Sequence, residues 1–144
     1  VAKEGGKMVE TRVRLSGGME FVGAPDSGHP IVMDTIPEFG GKMSGPTPME
    51  LLLIALGGCT GMDVVSILKK MGFGIRGLEI ELRGEKETNH PKVYRWIEIK
   101  YILKGKNLSE EKVKKAIDLS QNKYCSVSAM LAKGCKIRYT YETV

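Results

Sequence analysis

From Met49 to Met71 the chain is apolar around almost the whole circumference of a helix, interrupted only by a few small or polar residues before Lys69 and Lys70. Its start is marked three ways: Thr47 suits an N-cap, Pro48 suits the first helical position, and Glu50 stands three residues after Thr47 as a capping box requires. Gly72 closes it. A helix apolar on every side must be enclosed by protein. About twenty-four residues at 1.5 Å each make a rod of roughly 36 Å, long for a chain of this size to wrap alone. A partner subunit would supply the missing cover. Gly57 and Gly58, in the middle, allow another backbone to come close or the helix to break locally.

Around this helix the rest of the 144-residue chain reads as a single domain, residues 1–144. Met8 to Ser16 alternate, with Val9, Thr11, Val13 and Leu15 on one side, which predicts a half-buried strand. Gly17 and Gly18 turn the chain into a strand around Met19 to Val22, and a Gly-rich loop leads to a third around Pro30 to Thr35. After the helix, Leu78 to Arg83 and Val93 to Leu103 predict a hairpin joined through Thr88-Asn89-His90-Pro91. Ser109-Glu110-Glu111 opens a second helix, with Val113, Ala116, Ile117 and Ser120 at helical spacing. An interruption near Tyr124-Cys125, a short helix to Lys133 stopped by Gly134, and a last strand from Lys136 to Tyr141 complete the order βββ-α-ββ-α-α-β. The class is α+β, with antiparallel sheets around central helices and no glycine fingerprint of a nucleotide-binding βαβ unit.

No apolar run approaches the eighteen or so uninterrupted residues a membrane helix needs, and no leader-like segment is present, so the expected address is the cytoplasm. The net charge is +5, but the basic residues are interspersed with acidic ones and aromatics are only 6%. Neither a basic patch nor a stacking platform is indicated, and nucleic acid is not an expected partner.

Cys59, Cys125 and Cys135 are too few for a disulfide scaffold and form no C-x-x-C pair. With only His29 and His90 beside them, a metal would need ligands gathered from scattered loops, so no metal cofactor is expected. Cys59 lies within the apolar helix, where a cysteine can simply pack as a small hydrophobe. Cys125 stands where a new helix begins, and backbone N–H groups there would favour a thiolate and lower its pKa. Cys135 has no comparable feature.

Pro48 followed eleven positions later by Cys59, and Cys125 followed by Ser126-Val127-Ser128, together resemble the paired signature of the OsmC and organic hydroperoxide resistance family. In that family the first cysteine ends a Pro-Glu-x-Leu helical segment, and the second sits in a Cys-Pro-Val-Ser-like stretch some sixty-odd residues on. Here Cys125 comes 66 positions after Cys59, with a hairpin and a helix between them. The resemblance implies an intertwined homodimer with the long helices at its centre. It implies Cys59 as the peroxidatic thiolate attacking an organic hydroperoxide, Cys125 as the resolving thiol, and a dithiol as reductant. The family's glutamate directly follows the proline, where this chain has Met49; the carboxylate comes one position later as Glu50, which is open to a catalytic role as well as to helix capping. The family's arginine falls near Gly17-Gly18, where this chain has Met19 and Glu20.

Asp63, four residues after Cys59, shares its helix face and suits a hydrogen bond or cap. His29 and Asp34 flank the third strand and are further candidates to line a pocket. Two other readings stand beside the peroxidase: an OsmC-like protein that binds a small apolar ligand or senses redox state, and another cysteine-nucleophile enzyme with Asp63 or His29 as polar partner.

Overall fold

The computed structural model describes residues 6–144, and the chain divides into two compact units, Val1–Leu51 and Leu52–Val144. Its elements follow the predicted order: strands β1 (Thr11–Gly17), β2 (Glu20–Pro25) and β3 (Ile31–Met33), helix α1 (Pro48–Lys70), β4 (Ile75–Lys86), β5 (Tyr94–Gly105), α2 (Glu110–Leu119), α3 (Ser126–Leu131) and β6 (Lys136–Thr143).

In the first unit β1, β2 and β3 form an antiparallel meander in chain order, with Val13 opposite Gly23 and Val22 opposite Val32. Gly18, at φ 56°, makes the turn that only a residue free of a Cβ enters cheaply. Strand β1 is exposed along its whole length, which corrects the expectation of a half-buried strand. A three-stranded sheet in a unit of this size has too little to lay over its edge. The loop after β3 is built on Asp34. Its Oδ1 accepts from the Thr35 backbone N–H at 2.7 Å; its Oδ2 accepts from the Lys42 and Ser44 N–H groups at 3.1 and 3.2 Å and from the Ser44 hydroxyl at 2.7 Å. The Ser44 hydroxyl and then the Thr35 N–H hold the Asp34 carboxyl down to a pKa of about 2. A Cβ at Gly41 would overlap the Thr35 carbonyl, so this loop closes only with glycine there. At its end Thr47 Oγ1 accepts from the Glu50 N–H at 3.2 Å while the Glu50 carboxylate accepts from the Thr47 N–H at 2.9 Å. That is the reciprocal capping box the sequence predicts for the start of α1.

The second unit carries a three-stranded sheet in the order β4-β5-β6. β4 and β5 are the predicted hairpin, with Ile80 opposite Tyr101 and Leu82 opposite Ile99. β6 runs parallel to β5, with Ile99 opposite Tyr139, so this sheet is mixed and not purely antiparallel as expected. A parallel neighbour needs a long crossover, and α2 and α3 supply it. On β5, Ile97, Ile99, Tyr101 and Leu103 are buried; with Leu56, Val64 and Leu68 of α1 and Val113, Ala116 and Ile117 of α2 they make the core. Helix α1 lies close on β4, since a Cβ at Gly57 would come within 2.8 Å of the Leu82 side chain and one at Gly61 within 3.1 Å of Ile80. Gly58 faces open space.

By length and composition α1 could cross a bilayer, with 23 residues and a mean hydropathy of 2.0 over its best window. The expectation concerned an uninterrupted run, and it holds: Glu50, Thr60, Asp63 and Ser66 break the apolar sequence well short of eighteen residues. Ile54, Met62 and Val65 on this helix are exposed at 58%, 76% and 42%.

Candidate functional site

Three parts of the second unit bring the chemistry together. Helix α1 carries Cys59, Thr60 and Asp63, the segment between α2 and α3 carries Ser120, Gln121 and Cys125, and the first turn of α3 carries Ser128. The junction has an unusual backbone. Ser120–Tyr124 form a π turn, closed by the Cys125 N–H donating to the Ser120 carbonyl five residues back at 2.7 Å. Such turns insert an extra residue into a helical path and often mark functional sites. Cys125 then takes an extended conformation, φ −73° and ψ 104°, and caps α3 with its sulfur accepting from the Ser128 N–H at 3.3 Å. The interruption predicted near Tyr124-Cys125 is this turn and cap.

The sulfurs of Cys59 and Cys125 and a carboxylate oxygen of Asp63 all lie within 4.8 Å of one another. Cys59 and Asp63 are half-buried and Cys125 is 3% exposed. All three cysteines are free thiols, and Cys135 stands apart, its sulfur 3.5 Å from the Leu131 carbonyl. Burial pushes the Cys125 thiol up to about 11; its hydrogen bond with Cys59 and the charges of Cys59 and Asp63 add to the rise, and the Ser128 N–H opposes it. The helix start does act in the thiolate-favouring direction expected from the sequence, but desolvation outweighs it. Of the other candidates, Glu50 is exposed and holds the cap of α1, Asp34 is engaged by its own loop, and His29 is exposed.

Behind the sulfurs runs a buried chain of polar groups that sequence reasoning did not find. Asp63 Oδ2 accepts from the Ser120 hydroxyl at 2.9 Å. Ser120 Oγ is 2.7 Å from Thr60 Oγ1, which is 2.7 Å from the Tyr101 hydroxyl. Gln121 Nε2 donates to both Thr60 Oγ1 and Tyr101 Oη, at 3.1 and 2.8 Å, and its Oε1 accepts from the Ser128 hydroxyl at 2.7 Å. Each hydroxyl has a single proton. A carboxylate only accepts, so Ser120 must give its proton to Asp63, Thr60 must donate to Ser120, and Tyr101 must donate to Thr60. The donor order along Tyr101, Thr60 and Ser120 is thus set by Asp63. No buried side-chain polar atom among the described residues lacks a partner. Tyr101, buried, is pushed up to about 12 and stays a donor. Ser120 was the one visible signal: a hydroxyl at a position that helical spacing assigns to the core.

The chain is similar to known proteins over most of its length. The model of the family described as OsmC-like protein matches residues 40–140. Protein YhfA of Escherichia coli strain K12 is 40% identical over 136 residues, covering 94% of this chain and 98% of that protein. A crystal structure of a hypothetical protein from Aquifex aeolicus VF5 matches with a TM-score of 0.81 and 36% identity, covering 96% of this chain and 98% of the other. The organic hydroperoxide resistance protein OhrB of Bacillus subtilis shares the fold at a TM-score of 0.64 and 17% identity, over 94% of this chain and 98% of that one.

Proposed function

The chain belongs to the OsmC-like protein family, and from that premise we propose that it reduces organic hydroperoxides, with Cys59 as the peroxidatic and Cys125 as the resolving thiol. The observation that carries the reading is the pair of sulfurs with the Asp63 carboxylate, mutually within 4.8 Å, on a fold shared with a hydroperoxide resistance protein. The half-buried thiol is the one open to substrate and the buried thiol the one protected from it, which suits the two roles.

In the proposed reaction Asp63 takes the Cys59 thiol proton, and the thiolate attacks the terminal oxygen of the hydroperoxide. The O–O bond breaks, the alkoxide takes the proton from Asp63 and leaves as the alcohol, and Cys59 becomes a sulfenic acid. Cys125 then passes its proton to Asp63 and attacks the Cys59 sulfur; the departing hydroxide takes that proton and leaves as water. A dithiol reduces the disulfide, so two electrons from the dithiol convert one hydroperoxide into alcohol and water. Disulfide closure brings the sulfurs from within 4.8 Å to about 2.05 Å by side-chain rotation. Asp63, fixed by Ser120, takes the place in this scheme of the arginine and glutamate of the peroxide reductases; Glu50 remains a candidate for a supporting role from the start of α1.

We place the protein in the cytoplasm as one OsmC-like domain and as a homodimer. The exposed Ile54, Met62 and Val65 line a groove of about 880 Å³ between α1 and β4 that a partner subunit would cover. The test is to add one equivalent of cumene hydroperoxide to reduced protein and map thiols by peptide mass spectrometry. A Cys59–Cys125 disulfide within seconds to minutes is expected; survival of both thiols refutes the reading. The position of Asp63 also favours a second reading, a cysteine-nucleophile enzyme such as a small-acyl hydrolase, in which Cys59 alone is essential. Full activity of a Cys125→Ser variant would select it.

A further inference from the structure

We propose that Cys59, Asp63 and Cys125 form a binding site for one thiophilic divalent cation of the zinc type, with the fourth coordination position left to solvent or a small ligand. The sequence argued against a metal because its ligands would have to come from scattered loops. The fold instead draws them from one helix and one hydrogen-bonded junction. Metal–sulfur bonds of about 2.3 Å and metal–oxygen bonds of about 2.0–2.2 Å at tetrahedral angles place donor atoms roughly 3.5–3.8 Å apart. The three donor atoms here are already within 4.8 Å of one another, so closing onto an ion needs movements of about 1 Å, within reach of side-chain rotation.

The donors are also held. Cys59 and Asp63 are one helical turn apart on α1, the Ser120 hydroxyl fixes Asp63 Oδ2, and the Ser128 N–H fixes the Cys125 sulfur. Partners of this kind orient ligands and sharpen affinity. Two sulfurs select zinc, cadmium or cobalt over magnesium and calcium, which prefer oxygen. Cys59 and Asp63 are half-buried, leaving a side from which the ion can enter. Each thiol gives up its proton to solvent as it ligates, and no electron moves. Because the ion holds both sulfurs, the loaded protein is inert to hydroperoxide. That consequence rests on the function proposed above, whereas the binding does not.

The experiment titrates Co²⁺ into metal-free, fully reduced protein and follows the thiolate-to-cobalt charge-transfer absorbance, then displaces it with Zn²⁺. One ion per chain is expected. Binding should vanish in Cys59→Ser and in Cys125→Ser, weaken at least about tenfold in Asp63→Asn, and stay unchanged in Cys135→Ser. Unmutated protein oxidised to the Cys59–Cys125 disulfide with diamide should not bind, a control independent of whether any variant folds. No saturable absorbance, binding that survives the disulfide, or an unchanged affinity in Asp63→Asn overturns the site. Cumene hydroperoxide is then added to metal-free and zinc-loaded protein. A disulfide in the metal-free protein without any metal binding removes this inference alone; metal binding without a disulfide in the metal-free protein removes the peroxidase reading alone. A disulfide formed equally fast in both overturns the masking.

Discussion

Replacing Thr60 by valine keeps the shape of the side chain and removes the hydroxyl at the centre of the buried polar chain. Three neighbours lose a partner: the Tyr101 O–H its acceptor, Ser120 Oγ its donor, and Gln121 Nε2 one of its two acceptors. Tyr101 and Ser120 are both 0% exposed and cannot turn to water, while Gln121 is half-buried. A buried donor left unsatisfied costs about 1–3 kcal/mol, so with the smaller loss at Ser120 the change should destabilise the fold by about 2–4 kcal/mol. Tyr101→Phe leaves Thr60 still donating to Ser120 and accepting from Gln121, and strands only one half-exposed N–H. Its expected cost is about 0.5–1.5 kcal/mol. Adding Tyr101→Phe to Thr60→Val removes the stranded hydroxyl, so the double variant should recover about 1–2 kcal/mol. Urea unfolding followed by circular dichroism, at one fixed protein concentration, measures all three. A Tyr101→Phe variant as unstable as Thr60→Val, or a Thr60→Val cost below about 1 kcal/mol, would refute the donor order derived from Asp63.

The raised Cys125 pKa makes thiolate scarce at neutral pH, so disulfide closure should quicken as pH rises and level off only near pH 11; trapping the Cys59 sulfenate with dimedone at a series of pH values measures this. Since that pKa is raised from 9.0, the stability it contributes is present below pH 9 and is lost as pH climbs through 11. Asp34 has the opposite sign. Its pKa falls from 3.8 to about 2, so its contribution is complete above pH 3.8 and disappears as pH falls through 2, and Asp34→Asn should flatten the acid limb of the unfolding curve. Met62→Lys puts a charge on the 76% exposed side chain of α1 and should break the proposed homodimer, seen as a monomer in light scattering, while leaving the circular dichroism unchanged.

What could be read from the residues was whatever rests on local patterns. Thr47, Pro48 and Glu50 located the start of α1, and alternation in β4 and β5 located the hairpin, because caps and strand faces depend on near neighbours. The parallel pairing of β6 was not legible, since alternation tells which face a strand buries and not which way its neighbour runs. The thiol pair was found through a resemblance in motifs and spacing. The company it keeps was not: Thr60, Tyr101, Ser120 and Gln121 come from three separate elements, and only the folded chain makes them one network. Cys125 shows the same limit, where a helix start was readable but the burial that overrides it was not.

The parallel placement of β6 beside β5 has a consequence for how the protein comes to exist. The crossover that reaches from β5 to β6 is the same segment that carries Ser120, Gln121, Cys125 and Ser128. Closing so long a connection is entropically slow compared with closing the β4–β5 hairpin, which can zip as soon as both strands are free. On a translating ribosome Cys59 and its helix therefore emerge and begin to pack well before their counterpart arrives. The two sulfurs can meet only after the 66 residues from Cys59 to Cys125 have been made. Until then Cys59 is a lone thiol on an apolar helix.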